Sequence, residues 1–109
     1  MRRERTFVEQ HAVIAYFDYA ADSLGPLSAI EEQLESAINA AGVGEFDGNE
    51  IAVDLSDGSL YMYGPDAEDL FAVVRPILAG AECLRNTRVT LRFGPPEDDT
   101  PERVEILDT

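Results

Sequence analysis

Residues 54–71 read DLSDGSLYMYGPDAEDLF, and they contain the turn that decides the fold. Asp57-Gly58 is a dipeptide that two-residue hairpin turns favour, because both central positions of such a turn need positive φ. Apolar and polar side chains alternate over residues 50–56 before the dipeptide, and residues 59–63 continue as SLYMY after it. Alternation with period two is typical of a strand. The sequence therefore predicts a hairpin with these two segments as its strands.

Periodicity predicts the remaining helices and strands. Residues 26–41 carry apolar side chains at spacings of three and four with glutamates on the other side, as in an amphipathic helix. Residues 6–19 are rich in Val, Ile, Phe and Tyr and lack Gly and Pro, which favours a strand. A second helix is expected at 66–79, a strand at 87–93, a short further strand at 104–107 and a loop at 43–49.

The order of these elements is β-α-β-β-α-β, the ferredoxin-like arrangement. We therefore expect an α+β ferredoxin-like sandwich, in which two helices cover one face of a four-stranded antiparallel sheet. The 109 residues, 45% of them hydrophobic, suit a single domain over 1–109, with flexible ends at 1–5 and 95–109. The alternative is a different α+β sandwich in which the terminal strand joins the edge of the sheet.

The expected hairpin turn also sets the register of the sheet and its two faces. Counting outward from the turn places Asp54 opposite Tyr61 and gives the helix side a wholly apolar set of residues: Ile51, Val53, Leu55, Leu60 and Met62. On the first strand, Val13, Ala15 and Phe17 are assigned to the helix side. The predicted binding surface on the opposite, uncovered side comprises Tyr16, Asp18, Asp54, Tyr61, Tyr63, Arg88 and Arg92, with Ile14 beside them.

The tyrosine and arginine side chains make the uncovered side a candidate interaction surface. These residue types are enriched at the centres of interfaces, since they bring contact area and directional hydrogen bonds at modest entropy cost. A homodimer or a partner protein would use them. In the alternative interpretation, phenol rings and arginine stems cover an ordinary half-solvated sheet, or the C-terminal segment 103–107 folds over it.

The charge balance argues against several classes of partner. The chain has 22 acidic and 8 basic side chains, for a net charge of −14, and its field repels nucleic acid and anionic membranes. All eight basic residues are arginine, which excludes Schiff-base chemistry by a lysine of this chain. The longest apolar runs fall short of the roughly 18 to 20 residues of a membrane span. With a lone cysteine and no apolar leader at the N-terminus, the expected location is the cytoplasm.

Side chains that carry chemistry lack recognisable partners in the sequence. His11 is the one histidine and has no second His or triad partner at a telling spacing. Cys83 lies in the loop after the second helix, where nearby arginines would lower its pKa and burial would raise it. The acidic segments 46–50 and 54–58 fit turns, because neither extends to a twelve-residue calcium loop. No catalytic residue, cofactor or metal ligand is predicted.

Residues 44–78, GEFDGNEIAVDLSDGSLYMYGPDAEDLFAVVRPIL, resemble small uncharacterised bacterial proteins of ferredoxin-like shape. The resemblance covers about a third of the chain. It implies the fold and brings no catalytic residue with it.

These observations predict a small, acidic, non-enzymatic binding or regulatory protein that forms a homodimer through the uncovered side of the sheet. One alternative is an acidic inhibitor or immunity-like protein that captures a basic partner by electrostatic steering. Another is a small enzyme whose site lies between sheet and loops and brings His11, Asp18 or Asp54 into one cleft with shifted pKa values.

Overall fold

The computed structural model describes residues 10–107 and forms two helices and one antiparallel sheet. The elements are β1 (His11–Tyr19), α1 (Gly25–Ala41), β2 (Glu45–Ile51), β3 (Asp57–Gly64), α2 (Ala67–Ala79), β4 (Leu84–Arg92) and β5 (Glu102–Ile106). The strand order in the sheet is β2-β3-β1-β4-β5, and every neighbouring pair is antiparallel. The α+β class and the β-α-β-β-α-β order are confirmed, and an extra strand joins the edge beside β4. The predicted strand residues 6–9, like the end segments 1–5 and 108–109, lie outside the described residues.

One face of the sheet is covered by both helices. The predicted helix-side residues of β1, Val13, Ala15 and Phe17, are all buried there. Each helix adds a row of leucines and β-branched residues that the sheet side chains contact: Leu27, Leu34 and Ile38 from α1, and Leu70, Val74 and Leu78 from α2. The core therefore lies on one side of the sheet.

Side chains of β1 hold the N-termini of both helices, where backbone N–H groups have no partner within the helix. The Tyr19 hydroxyl accepts a hydrogen bond from the Leu27 backbone N–H of α1 at 3.1 Å and donates to the Ser23 carbonyl at 2.6 Å. At the other end of the strand, His11 Nδ1 accepts from the Ala67 backbone N–H of α2 at 3.0 Å. One strand thus fixes the start of each helix.

The hairpin differs from the prediction. β2 begins at Glu45, inside the segment expected to be a loop, and its last residue Ile51 pairs with Gly58 of β3. The turn is therefore the five-residue segment 52–56, and Asp57-Gly58 lies within the strand that follows. Val53, expected in the core, is fully exposed at the tip of this turn, with a relative accessibility of 104%.

Local bonds in the turn and packing along β2 explain the difference. The Asp54 carboxylate accepts a hydrogen bond from the Ser56 backbone N–H at 3.0 Å, as in an Asx turn, and Leu55 adopts a left-handed φ of 62°. Because β2 begins at Glu45, Phe46 also packs against the core. This apolar contact, absent from the predicted loop at 43–49, favours the longer strand and the shifted turn.

Candidate functional site

The side of the sheet away from the helices carries side chains from all five strands, and the strand pairing sorts them into three rows. From β2 to β5, the first row is Glu50, Ser59, Tyr16, Arg88 and Ile106. From β3 to β5, the second row is Tyr61, Ile14, Thr90 and Val104. From β2 to β5, the third row is Glu45, Tyr63, Ala12, Arg92 and Glu102. We call the surface formed by these three rows the open face.

The structure brings five of the seven predicted surface residues into these rows: Tyr16, Tyr61, Tyr63, Arg88 and Arg92. On these strands, residues of the open face alternate with residues of the covered face, as predicted. The neighbours of the five residues on each strand are buried under the helices. The three tyrosines are half-buried. They form the centre of the open face together with Ile14.

Asp54 is not opposite Tyr61, so this part of the prediction is wrong. The turn moved to 52–56, which takes Asp54 out of the sheet. The partner of Tyr61 is Glu50, whose Oε1 accepts a hydrogen bond from the tyrosine hydroxyl at 2.6 Å. This bond, with partial burial, raises the pKa of Tyr61. Glu50 is thus a residue of the open face that the sequence-based register did not connect to Tyr61.

Asp18 lies at the margin of the open face, at the end of β1. Its Oδ2 accepts a hydrogen bond from Asn86 Nδ2 at 2.8 Å. The register of β4 shifts between the partners of Tyr16 and Asp18, and Asn86 in this irregular part has a φ of 53°. On the neighbouring strand, Asp57 lies directly opposite Asp18. This corner of the open face is therefore acidic and exposed.

The fifth strand extends the open face with apolar side chains. Val104 and Ile106 keep 56% and 62% of their surface exposed. They lie beside Thr90 and Arg88 of β4. The predicted alternative in which residues 103–107 fold over the sheet is wrong, because this segment pairs with the edge instead.

A salt bridge on the helix side of the sheet holds β5 against its edge. The Arg103 guanidinium binds both carboxylate oxygens of Glu68 in α2, at 2.5 and 2.9 Å, and its Nε also contacts Glu105 at 2.8 Å. Arg103 lowers the pKa of Glu68 by hydrogen bonding to its ionised form. The bidentate geometry ties the edge strand to the start of α2.

Charge is distributed unevenly across the rows. Glu45 and Glu50 lie on β2 at one edge, whereas Arg88 and Arg92 lie on β4. Three strand spacings of about 4.8 Å separate β2 from β4, so the two kinds of charge are about 14 Å apart. The open face thus has two arginines on β4 and acidic residues at both edges, since Glu102 of β5 lies beside Arg92. Aromatic and aliphatic residues lie between the glutamates of β2 and the arginines of β4.

The residues considered for catalysis do not form a cleft. His11 and Asp18 lie at opposite ends of β1, seven residues or about 23 Å apart at strand rise. His11 is engaged with the N-terminus of α2 and with the Phe93 ring, whose centroid is 5.8 Å away. Partial burial raises the pKa of the Cys83 thiol, which disfavours the nucleophilic thiolate.

The other features to consider among the described residues are a metal site, a membrane span and a surface groove. Within 10–107, no three His, Cys, Asp or Glu side chains are grouped so that they could hold a metal ion. No helix in this part of the chain has the length and apolar content needed to cross a membrane. A shallow groove of about 550 Å³ lies between α2 and the end of β5, lined by Ala72, Arg75, Pro76, Ala79, Ile106 and Leu107. Its lining offers a single charged group.

Comparison with known proteins supports the architecture. No family model and no curated protein matches the chain. Among solved structures, the chain is similar to Rv0793 from Mycobacterium tuberculosis, with a TM-score of 0.50 and 17% sequence identity; the alignment covers 92% of this chain and 94% of that one. At this identity the likeness concerns the fold alone. It supports the resemblance of residues 44–78 to small bacterial proteins at the level of fold and transfers no activity.

Proposed function

We propose that this protein is a small, non-enzymatic binding or regulatory protein that works as a homodimer assembled through the open face. The exposed apolar side chains of Val104 and Ile106 carry the proposal; they lie on the same face of the sheet as the half-buried Tyr16 and Ile14, with one side chain of β4 between the members of each pair. Isolated exposed apolar residues are ordinary, but apolar, aromatic and arginine side chains gathered on one face are typical of an interaction site. A second copy would remove this surface from water.

The size of the open face is compatible with a dimer. From Ala12 to Asp18 at its margin the open face extends about 20 Å along β1, and five strands extend about 20 Å across the sheet, which gives a flat area on the order of 400 Å² per copy. Standard specific interfaces bury about 800 Å² per partner, and weak or transient ones bury less. The open face therefore has the size of a weak dimer interface.

The fold proposed here is the ferredoxin-like one. Its support is the order β2-β3-β1-β4 with both helices on one side of the sheet. In this interpretation β5 is an addition to the edge of the sheet, and it enlarges the face available to a second copy.

Light scattering coupled to size-exclusion chromatography tests the dimer directly. We expect a species of twice the 12.0 kDa chain mass at high micromolar concentration. Ile106→Asp, which places a charge in the apolar part of the open face, should shift the population to monomer. Val53→Asp is the matched control, because Val53 is also exposed but lies in the hairpin turn. A wild-type chain that stays at 12.0 kDa throughout would overturn the proposal.

A basic partner protein is the second candidate, favoured by the net charge of −14 and by exposed carboxylates such as Glu32 and Glu35 on α1. Because the open face contains two arginines, this partner would use the helical side of the molecule. Capture of cationic proteins at low salt and their release at high salt would support it. Unchanged dimerisation of the wild type in the presence of such a partner would separate the two surfaces.

A further inference from the structure

We infer that the two copies pack with their two-fold axis parallel to the strands, so that Glu50 of one copy faces Arg88 of the other and Glu45 faces Arg92. The inference rests on the proposed dimer and specifies which parts of the open face meet. It follows from the placement of opposite charges on β2 and β4.

Symmetry leaves two limiting arrangements for two sheets that meet face to face. The same patch of both copies must form the contact, and the two-fold axis lies in the plane between the sheets. An axis perpendicular to the strands would place β2 over β2 and β4 over β4, which brings glutamates against glutamates and arginines against arginines. An axis parallel to the strands exchanges the two sides of the sheet, and β2 of each copy then faces β4 of the other.

The uncharged residues also fit the parallel axis. If the axis runs between β3 and β1, each row of the open face meets the same row of the second copy in reverse order, and β5 lies one strand spacing, about 4.8 Å, beyond β2 of that copy. Ile106 of β5 then lies along the outer edge of that strand, next to Glu50. Ser59 then faces Tyr16 in the first row, and Ala12 faces Tyr63 in the third. Both contacts match a small side chain with a large one, as well-packed interfaces require. In the second row, Tyr61 faces Ile14, which is an apolar contact.

Glu50 is already positioned for this contact. Its Oε1 accepts the hydrogen bond from the Tyr61 hydroxyl, which fixes the direction of the side chain. A carboxylate accepts several hydrogen bonds, so the same group can receive the Arg88 guanidinium of the second copy. Less side-chain entropy is then lost when the dimer forms.

Long-range electrostatics make such local pairing necessary. Each copy carries a net charge of −14, so two copies repel each other until they are close. Two acidic contacts add to this cost, because the parallel axis brings Asp18 of one copy near Asp57 of the other and Glu102 near Glu45. Both contacts lie at the rim of the interface, where water and salt screen the repulsion.

A charge-exchange experiment tests the arrangement. Glu50→Arg alone would place two arginine pairs at the interface, and Arg88→Glu alone would place two carboxylate pairs there. We expect each single variant to raise the dimer dissociation constant about 100-fold. An equimolar mixture of the two variants should form a heterodimer with both contacts restored, within about tenfold of the wild-type affinity. The double variant E50R/R88E should recover its homodimer to the same extent, at the wild-type net charge.

The sign of the Glu50→Arg effect is decisive. This substitution lowers the magnitude of the net charge and so weakens the repulsion between two copies. If only that long-range repulsion mattered, the variant would dimerise more tightly than the wild type. Glu32→Arg on α1 makes the same charge change away from the open face and should leave the dimer as strong or slightly stronger. Sedimentation velocity measures the dissociation constants, and circular dichroism checks that each variant is folded.

The outcomes separate the arrangement from the dimer itself. A wild-type dimer in which Glu50→Arg binds at least as tightly as Glu32→Arg would overturn the parallel axis and leave the proposed function standing. So would single variants that are weak but fail to recover when mixed or combined. A wild-type monomer would overturn both the arrangement and the proposed function.

Discussion

The two faces of the sheet are built from alternate residues of the same strands, yet they differ in what they contribute. On the helix-covered face, Leu60, Met62, Val89 and Leu91 have no exposed surface. On the open face, the intervening Tyr61 and Thr90 remain half-exposed. The covered face is completed within one chain and determines its folding. The open face is left incomplete, and a change there should affect association more than folding.

Leu60 and its sequence neighbour Tyr61 give the largest test of this comparison. Leu60→Ala leaves a cavity in the core and should lower the free energy of unfolding by about 3 kcal/mol. Tyr61→Phe keeps the ring and removes the hydroxyl that donates a hydrogen bond to Glu50, so it should change the unfolding free energy by less than about 1 kcal/mol. Urea denaturation at low protein concentration, where single chains dominate, measures both. Equal losses at the two positions would show that the faces are not distinct.

The assignment of residues to the covered and open faces was largely predictable, because hydrophobic periodicity is a local property of the sequence. Both helices and the alternation along β1 and β3 follow from residues close together in the sequence. The hairpin turn was not predictable in the same way, since Asp57-Gly58 is a strong local signal and the contact of Phe46 with the core is long-range. Local preference lost to tertiary packing.

The missed parts of the candidate site share this cause. The pairing of Tyr61 with Glu50 depends on the β2–β3 register, and the exposure of Ile106 depends on where β5 joins the sheet. Neither is encoded in a short segment. The role of His11 at the start of α2 likewise joins residues 56 positions apart. The sequence offered one weak signal for this role: His11 is a polar side chain at the end of a buried strand, and such a side chain needs a hydrogen-bond partner.

The polar contacts at the two ends of β1 provide an intermediate test on the covered face. His11→Phe keeps an aromatic ring near Phe93 but removes the acceptor of the Ala67 backbone N–H. We expect a loss of about 1 kcal/mol, as for removal of a helix cap. Tyr19→Phe removes the corresponding acceptor at α1 and should cost a similar amount. Thermal unfolding measures the losses, and hydrogen exchange should show faster exchange at the Ala67 amide only in His11→Phe; its absence would argue against a capping role.

The smallest effect is expected at the exposed margin of the covered face, where Arg103 binds Glu68. The folded chain holds the pKa of Glu68 below its ordinary carboxyl value of about 4.5. The bond therefore stabilises the fold fully above that ordinary value, and its contribution is lost as the pH falls through the lower folded value. In Glu68→Gln this part of the acid-side decrease in stability should be absent, while stability at neutral pH falls slightly, because an exposed ion pair contributes little. Unfolding curves of wild type and variant from neutral pH down to acid should converge as Glu68 becomes protonated. Curves that stay equally separated at every pH would show that the ionised form of Glu68 gains nothing from Arg103.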